Sequence, residues 1–166
     1  GYTPSTLVLD APFVIDQGAD QGWWKPDNYG DRFYGPSTLR KGIEKSRNVM
    51  TVRLAQEIGM EPSVDYAARF GIRDNMQPVL SMALGAGETT LIKLTTAYAE
   101  LVNGGKKLTP TMIDRIQDRN GKTIYRHDQR VCDECSALEW EDQMEPSLAD
   151  DRVRIIDART AYQVVS

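Results

Sequence analysis

Residues 38–59 read TLRKGIEKSRNVMTVRLAQEIG, two helical patterns joined by a polar step, Ser46-Arg47-Asn48. Ahead of the step, Ser37 offers an N-cap hydroxyl, and Leu39 and Ile43 share a face up to Lys45. Beyond it, Met50, Leu54 and Ile58 recur at helical spacing with Val52 and Ala55 beside them, until Gly59 offers a left-handed stop. The pattern predicts two short helices with an elbow between them. Asn48 or Ser46 could simply cap the second helix, worth about 1 kcal/mol. Alternatively, a hydroxyl and a carboxamide at a bend can leave the packed face and enter a groove. Local sequence leaves both readings open.

Outward from the elbow, the 166 residues are 40% hydrophobic and 27% charged, the make-up of a globular domain large enough for a core. Lys and Arg number 20 against 24 Asp and Glu, so a net charge of -4 gives no general attraction to phosphate backbones or anionic lipid. Nucleic acid is not an expected partner. The longest uncharged run, Asn75 to Gly87, is glycine-interrupted and falls short of the roughly 18 apolar residues a spanning helix needs. No signal peptide or anchor is legible. With Gly1 at its start the chain is expected to be a piece of something longer, any membrane link lying in an N-terminal anchor outside it.

Residues 1–36 read as an ordered loop region: turn chemistry, a short apolar segment Leu7 to Leu9, then a stretch rich in Gly, Asp and Pro held by Trp23, Trp24, Tyr29 and Tyr34. Residues 37–105 form a helical part. Within it, Pro62 opens a helix through Val64, Ala67, Ala68 and Phe70 to Gly71. After the apolar, then glycine-rich PVLSMALGAGETT (78–90), Thr89 or Thr90 caps a helix with Leu91, Leu94, Tyr98 and Leu101 on one side, ended by Asn103-Gly104-Gly105. Over 111–126, Asn120-Gly121 between two β-prone runs predicts a two-residue hairpin turn. Residues 127–152 are acidic and poor in apolar groups, a surface excursion. Over 157–166, Asp157 caps the start of a helix with Ala158, Tyr162 and Val165 on one face.

The segments WKPDNYGDRFYGPSTLRKGIEKSRNVMTVRLAQEIG (24–59), AARFGI (67–72), LSMALGAGETT (80–90) and AYAELVNGG (97–105), in that order, resemble the transpeptidase domain of class A (bifunctional) penicillin-binding proteins. The resemblance covers most of residues 1–126; the excursion at 127–152 lies outside it, and TAYQVVS (160–166) is similar to the helix leading to the family's last motif. That family works with S-x-x-K, a second S-x-N and K-T-G. The resemblance implies that Ser46-Arg47-Asn48 is the second motif, with Ser46 and Asn48 as its catalytic side chains and Arg47 pointing away. Acyl transfer from a D-alanyl-D-alanine peptide needs a nucleophile, a base and a route for a proton to the departing amine. Ser46 would relay that proton, and Asn48, both donor and acceptor, would hold the substrate's peptide group and a neighbouring lysine.

The other two motifs are not in the chain. Ser37, Ser46 and Ser63 are followed three places on by Arg40, Val49 and Tyr66, and Lys122-Thr123 by Ile124 in the expected hairpin. The resemblance therefore implies an α+β class: the helical part of a penicillin-binding/transpeptidase (serine β-lactamase-like) fold with a β-hairpin, inactive alone. The parent would crosslink peptidoglycan stem peptides at the periplasmic face of the bacterial inner membrane, be inhibited by β-lactams, and carry its glycosyltransferase elsewhere. Its partners would be stem peptide, β-lactams and the remaining segments of the parent, which could form a second chain. The rival reading is a non-catalytic module whose cysteine excursion contacts a partner protein.

No cofactor or metal is expected. GAGETT (85–90) lacks the third glycine and the lysine of a nucleotide loop and reads as a turn with Glu88 ahead of a positive helix end. Cys132 and Cys135 are compatible with a local disulfide, idle thiols, a weak metal clip with His127, or redox chemistry. His127 alone reads as a solvated loop residue. Trp23 and Trp24 read as loop core, or together as the border of a groove.

Overall fold

The computed structural model describes every residue except 18, 20, 21, 133, 134, 136 and 140. Parts of the loop over 16–36 and of the excursion over 127–152 lie outside the described residues. The chain divides into two compact units, residues 1–97 with Ser166, and residues 98–165.

The first unit begins with structure where a loop region is expected. Strand β1 (Leu7–Asp10) pairs antiparallel with β4 (Gly35–Thr38), Leu7 opposite Thr38 and Asp10 opposite Gly35. Its inward positions are Val8 and Asp10, while Leu7 and Leu9 face out. Alternation with a carboxylate on the buried face does not read as an apolar strand, so the period-2 signal is masked. A second pair, β2 (Ile15–Asp16) and β3 (Trp23–Trp24), closes the loop. Two of the four aromatics do not hold it as expected: Trp23 is 74% and Tyr29 99% exposed.

Helix α1 (Leu39–Glu44) starts one residue later than Ser37 would allow. Thr38 is the N-cap, its hydroxyl accepting from the Lys41 amide at 3.3 Å, while Ser37 stays in β4. Helix α2 (Asn48–Ile58) packs on β1, on α1 and on a 3-10 turn, Leu80–Leu84. Its buried residues are Val49, Met50, Val52 and Ala55. Contact with several elements widens the buried face and rotates it from the expected stripe, leaving Ile58 exposed. Gly42 in α1 is buried because Met50 lies over it; a Cβ there would stand 2.9 Å from Met50 Cε. Helix α3 (Glu61–Arg69) has Pro62 in its first turn, as expected.

Helix α4 (Leu91–Val102) is capped by Thr90, whose hydroxyl accepts from the Lys93 amide at 3.4 Å. The division between units falls within it. Its apolar side is not the buried one: Leu91 and Tyr98 are exposed, and Ala97 and Glu100 are buried. In the second unit the Glu100 carboxylate accepts from the Leu108 amide at 2.9 Å and lies 3.3 Å from the Lys107 ammonium.

The hairpin of β5 (Arg115–Gln117) and β6 (Thr123–Arg126) forms, with a different turn from the one expected. Gly121 is left-handed at φ 82, but Asn120 is not among the residues with positive φ. The Asp118 carboxylate accepts from the amides of Asn120 and Lys122, the Gly121 amide reaches the Asp118 carbonyl and the Asp118 amide the Lys122 carbonyl. This is the three-residue loop with a glycine bulge, selected by Asp118, where a two-residue turn needs positive φ twice.

Helix α5 (Ala158–Val165) is capped by Asp157 as expected, its carboxylate accepting from the Arg159 amide at 2.8 Å. Its buried residue is Ala161, while Tyr162 and Val165 are exposed, so the expected face is displaced. The Arg159 side chain, then its amide, hold the Asp157 carboxyl down from 3.8 to about 2. A depressed carboxylate contributes stability above its unfolded value that is lost as pH falls through the folded one. The first turn of α5 is therefore expected to loosen between pH 3.8 and about 2, followed by the Arg159 amide resonance, whose midpoint should sit near the lower value. Asp157→Asn should abolish that titration.

Candidate active site

The elbow is built from the end of α1, the start of α2 and two distant side chains. At the end of α1, the Ser46 amide donates to the Ile43 carbonyl at 3.1 Å and the Arg47 amide to the Gly42 carbonyl at 2.9 Å. That pair of bonds closes a helix around one left-handed residue. The same closure ends α3 at Gly71 (φ 67) and α4 at Gly104 (φ 69). At the elbow the left-handed residue is Ser46, φ 50. A side chain there costs on the order of 1–2 kcal/mol, which glycine avoids. The conformation turns the Ser46 side chain out, and the residue is exposed.

Capping of α2 does not fall to the residues expected. Arg47 occupies the N-cap position with no side-chain bond, and neither Ser46 nor Asn48 caps the helix. The cap comes from 21 residues away: Asn28 Oδ1 accepts from the Val49 amide at 3.1 Å. Asn28 Nδ2 donates to Asp10 Oδ1 at 2.7 Å and to the Arg32 carbonyl at 2.9 Å. Relieved of capping, Asn48 donates through Nδ2 to the Asp27 carbonyl at 3.1 Å. Among the described residues, no hydrogen bond involves Ser46 Oγ or Asn48 Oδ1.

Arg47 turns away from Ser46 as expected, but into the protein. Its side chain is 10% exposed, donates to Ser37 Oγ at 2.7 Å, lies 3.6 Å from Asp10 Oδ2, and covers the Tyr34 ring at 4.0 Å from the centroid. Asp10 is fully buried, so Arg47 is the counter-charge its carboxylate requires. A hollow of about 340 Å³ opens here, lined by Asn28, Tyr29, Tyr34, Lys45, Ser46 and Arg47. Ser46 thus presents a hydroxyl at the rim of a hollow whose floor is ionic and hydrogen-bonded.

Other expected features lie elsewhere. Cys132 and Cys135 form a disulfide with Cα atoms 5.4 Å apart, so both sulfurs are consumed and the metal-clip reading falls. His127 is exposed, and its amide extends the hairpin to the Asp114 carbonyl at 2.8 Å. It lines a hollow of about 680 Å³ in the second unit, where Arg130 is closed onto Asp128 at 2.5 Å and Arg152 onto Asp150 at 2.7 Å. In the first unit an apolar hollow of about 530 Å³ is lined by Leu54, Phe70, Met76, Met82 and Leu94, among others. GAGETT is tied through the Glu88 carbonyl, which accepts from Arg73 at 3.2 Å. Trp23 and Trp24 are neighbours on one strand, so their side chains leave by opposite faces and do not border one groove. Lys122 precedes β6 and is exposed, as is Thr123. No group of three or more His, Cys, Asp or Glu able to hold a metal occurs among the described residues.

Sequence reasoning missed Asp10 and Asn28, and read Tyr34 as a loop anchor without its contact to Arg47. Asp27-Asn28-Tyr29-Gly30 reads as turn chemistry, which conceals that Asn28 bonds far along the chain.

Set beside known proteins, residues 2–147 match the family model described as the penicillin binding protein transpeptidase domain. Over the whole chain the sequence is 43% identical to penicillin-binding protein 1A of Rickettsia bellii and 42% identical to that of Rickettsia typhi. The chain spans 21% of the length of each. Among solved structures, penicillin-binding protein 1A of Haemophilus influenzae aligns over 99% of this chain and 26% of its own, with a TM-score of 0.81 at 30% identity.

Proposed function

The chain belongs to the penicillin-binding protein transpeptidase domain family, and from that premise we propose that it is the S-x-N-bearing, mainly helical part of a serine D,D-transpeptidase that crosslinks peptidoglycan. Its fold class is α+β, in keeping with its structural neighbours. The parent would work at the periplasmic face of the inner membrane and carry glycosyltransferase activity in a separate domain. No helix among the described residues is long and apolar enough to cross a membrane.

The observation that carries the reading is the elbow. A serine stands where two other helix ends of the chain use glycine, and the adjacent asparagine is freed from capping by Asn28. In the proposed reaction a nucleophilic serine from an S-x-x-K segment attacks the carbonyl of the penultimate D-alanine, giving up its proton to the lysine. Ser46 Oγ relays that proton from the lysine to the departing D-alanine amine, taking one proton as it gives one up, as the carbon–nitrogen bond breaks and leaves an acyl-enzyme for the acceptor amine. The Asn48 carboxamide holds the peptide group. With nucleophile, base and K-T-G strand outside this chain, the chain alone has no transpeptidase activity.

Labelled penicillin is expected to acylate the full-length parent and not this chain. Asn48→Ser, which removes the carboxamide while Asn28 still caps α2, should lower crosslinking on the order of 10²-fold, the loss that follows removal of one positioned hydrogen-bonding group. Labelling of the isolated chain would reveal a nucleophile where none is proposed. Crosslinking unchanged by Asn48→Ser would remove Asn48 from the reaction and favour the non-catalytic module.

A further inference from the structure

We propose that Arg47, the middle residue of the Ser46-Arg47-Asn48 step, is a positioning residue for the two side chains that flank it. The inference rests on the roles proposed for Ser46 and Asn48, and it concerns what keeps them in place.

Consecutive residues at the elbow go three ways: the Ser46 hydroxyl outward, the Arg47 guanidinium inward, the Asn48 carboxamide to the Asp27 carbonyl. The backbone amides of Ser46 and Arg47 tie them to the last turn of α1, and the Arg47 carbonyl accepts from the Thr51 amide at 3.3 Å in the first turn of α2. What ties the elbow to the first strand pair is the side chain of Arg47. It reaches β1 through Asp10, β4 through Ser37 and the preceding loop through Tyr34. A planar guanidinium can stack, donate and carry charge together; a lysine ammonium is a point charge without a stacking face.

A left-handed serine persists only where its surroundings over-determine it. Arg47 is the adjoining residue, itself non-helical at φ -84 and ψ 104, so a shift of its side chain is transmitted to Ser46 through a single peptide unit. The other side of the elbow depends on the same carboxylate. Asp10 Oδ1 accepts from Asn28, which caps α2 at Val49, while Asp10 Oδ2 faces Arg47. One buried carboxylate therefore registers the end of α1 and the start of α2 against β1, with Arg47 as the link on the α1 side.

The test uses the full-length parent and labelled penicillin, measuring the limiting acylation rate constant and the half-saturating concentration together with thermal unfolding. Arg47→Lys keeps the charge for Asp10 and loses the stack and the fork. It should lower the limiting rate between 10-fold and 10²-fold, as a misplacement of about 1 Å does, with the half-saturating concentration little changed. Because an unpaired Asp10 can unfold the domain, the charge-free double variant Asp10→Asn/Arg47→Met is run beside it and should show the same rate loss in a folded protein. A wild-type limiting rate in either folded variant, while Ser46→Ala loses its rate, would overturn the positioning role and leave the reading of Ser46 intact. If Ser46→Ala and Asn48→Ala both keep the wild-type rate, the underlying reading of the site falls, and this inference with it.

Discussion

Ser46→Gly in the full-length parent is expected to raise the melting temperature while removing most of the acylation by penicillin. The serine sits at φ 50, in a helix closure that the chain builds with glycine at Gly71 and Gly104. Removing its Cβ recovers about 1–2 kcal/mol of left-handed strain. Glycine's greater freedom in the unfolded chain offsets roughly 0.5–1 kcal/mol of that, so the net gain is about 0–1.5 kcal/mol. The lost hydroxyl takes with it the proposed proton relay, a kind of contribution worth typically 10²–10⁴-fold in rate. Ser46→Ala separates the two effects, since it keeps the strain and loses only the hydroxyl. Thermal unfolding and acylation kinetics on both variants read the outcome. A glycine variant that is more stable and fully active would make Ser46 a helix end and nothing more.

Asn28→Asp is expected to destabilise the first unit strongly. Asn28 is 7% exposed and uses three polar contacts: two donated by Nδ2, to Asp10 and to the Arg32 carbonyl, and one accepted by Oδ1 from the Val49 amide. An aspartate of the same shape could still cap α2. Its second oxygen would face Asp10 Oδ1 where a donor now stands at 2.7 Å. Two buried carboxylates at that distance cannot both ionise without large cost, and Arg47 is one counter-charge for two. Uncompensated buried charge typically costs about 3–5 kcal/mol, a large fraction of a domain's total stability. The sign of the pH dependence follows from the forced proton. One carboxyl of the pair would have its folded value raised, so the variant is least unstable at low pH and loses stability as pH rises through that value. Denaturant unfolding of the parent at pH 5 and pH 7 should show the deficit growing with pH. A variant as stable as wild type at pH 7 would mean that Asp10 and Asn28 do not hold the elbow.

Both predictions depend on contacts that no local pattern announces. The apolar repeat through residues 50–58 correctly marks a helix, yet the buried face of α2 is set by β1, α1 and the 3-10 turn together, so Ile58 ends up exposed. The serine-arginine-asparagine step was legible as an elbow, and its likeness to a family motif pointed at Ser46 and Asn48. That Asn28 is the cap could not be read, because a buried polar group is satisfied by whichever partner the folded chain brings within about 3 Å, however far away in sequence. In the same way Asn120-Gly121 announced a hairpin, while Asp118, two residues earlier, chose the turn.

The sequence by itself determined where α3, α4 and α5 start and where α3 and α4 stop. Pro62, Thr90 and Asp157 act within one turn of where they stand, and the glycines at 71 and 104 supply backbone angles through their own lack of a Cβ. Such effects are local and survive in any context. The tertiary structure alone decided that Arg47 turns inward, that Asp10 is buried with it, and that Asn48 is released from helix capping. Those outcomes rest on Coulomb and hydrogen-bond partners gathered from β1, β4 and the loop between them. Burial raises the cost of leaving any of these groups unpaired, so their directions follow from the path of the whole unit.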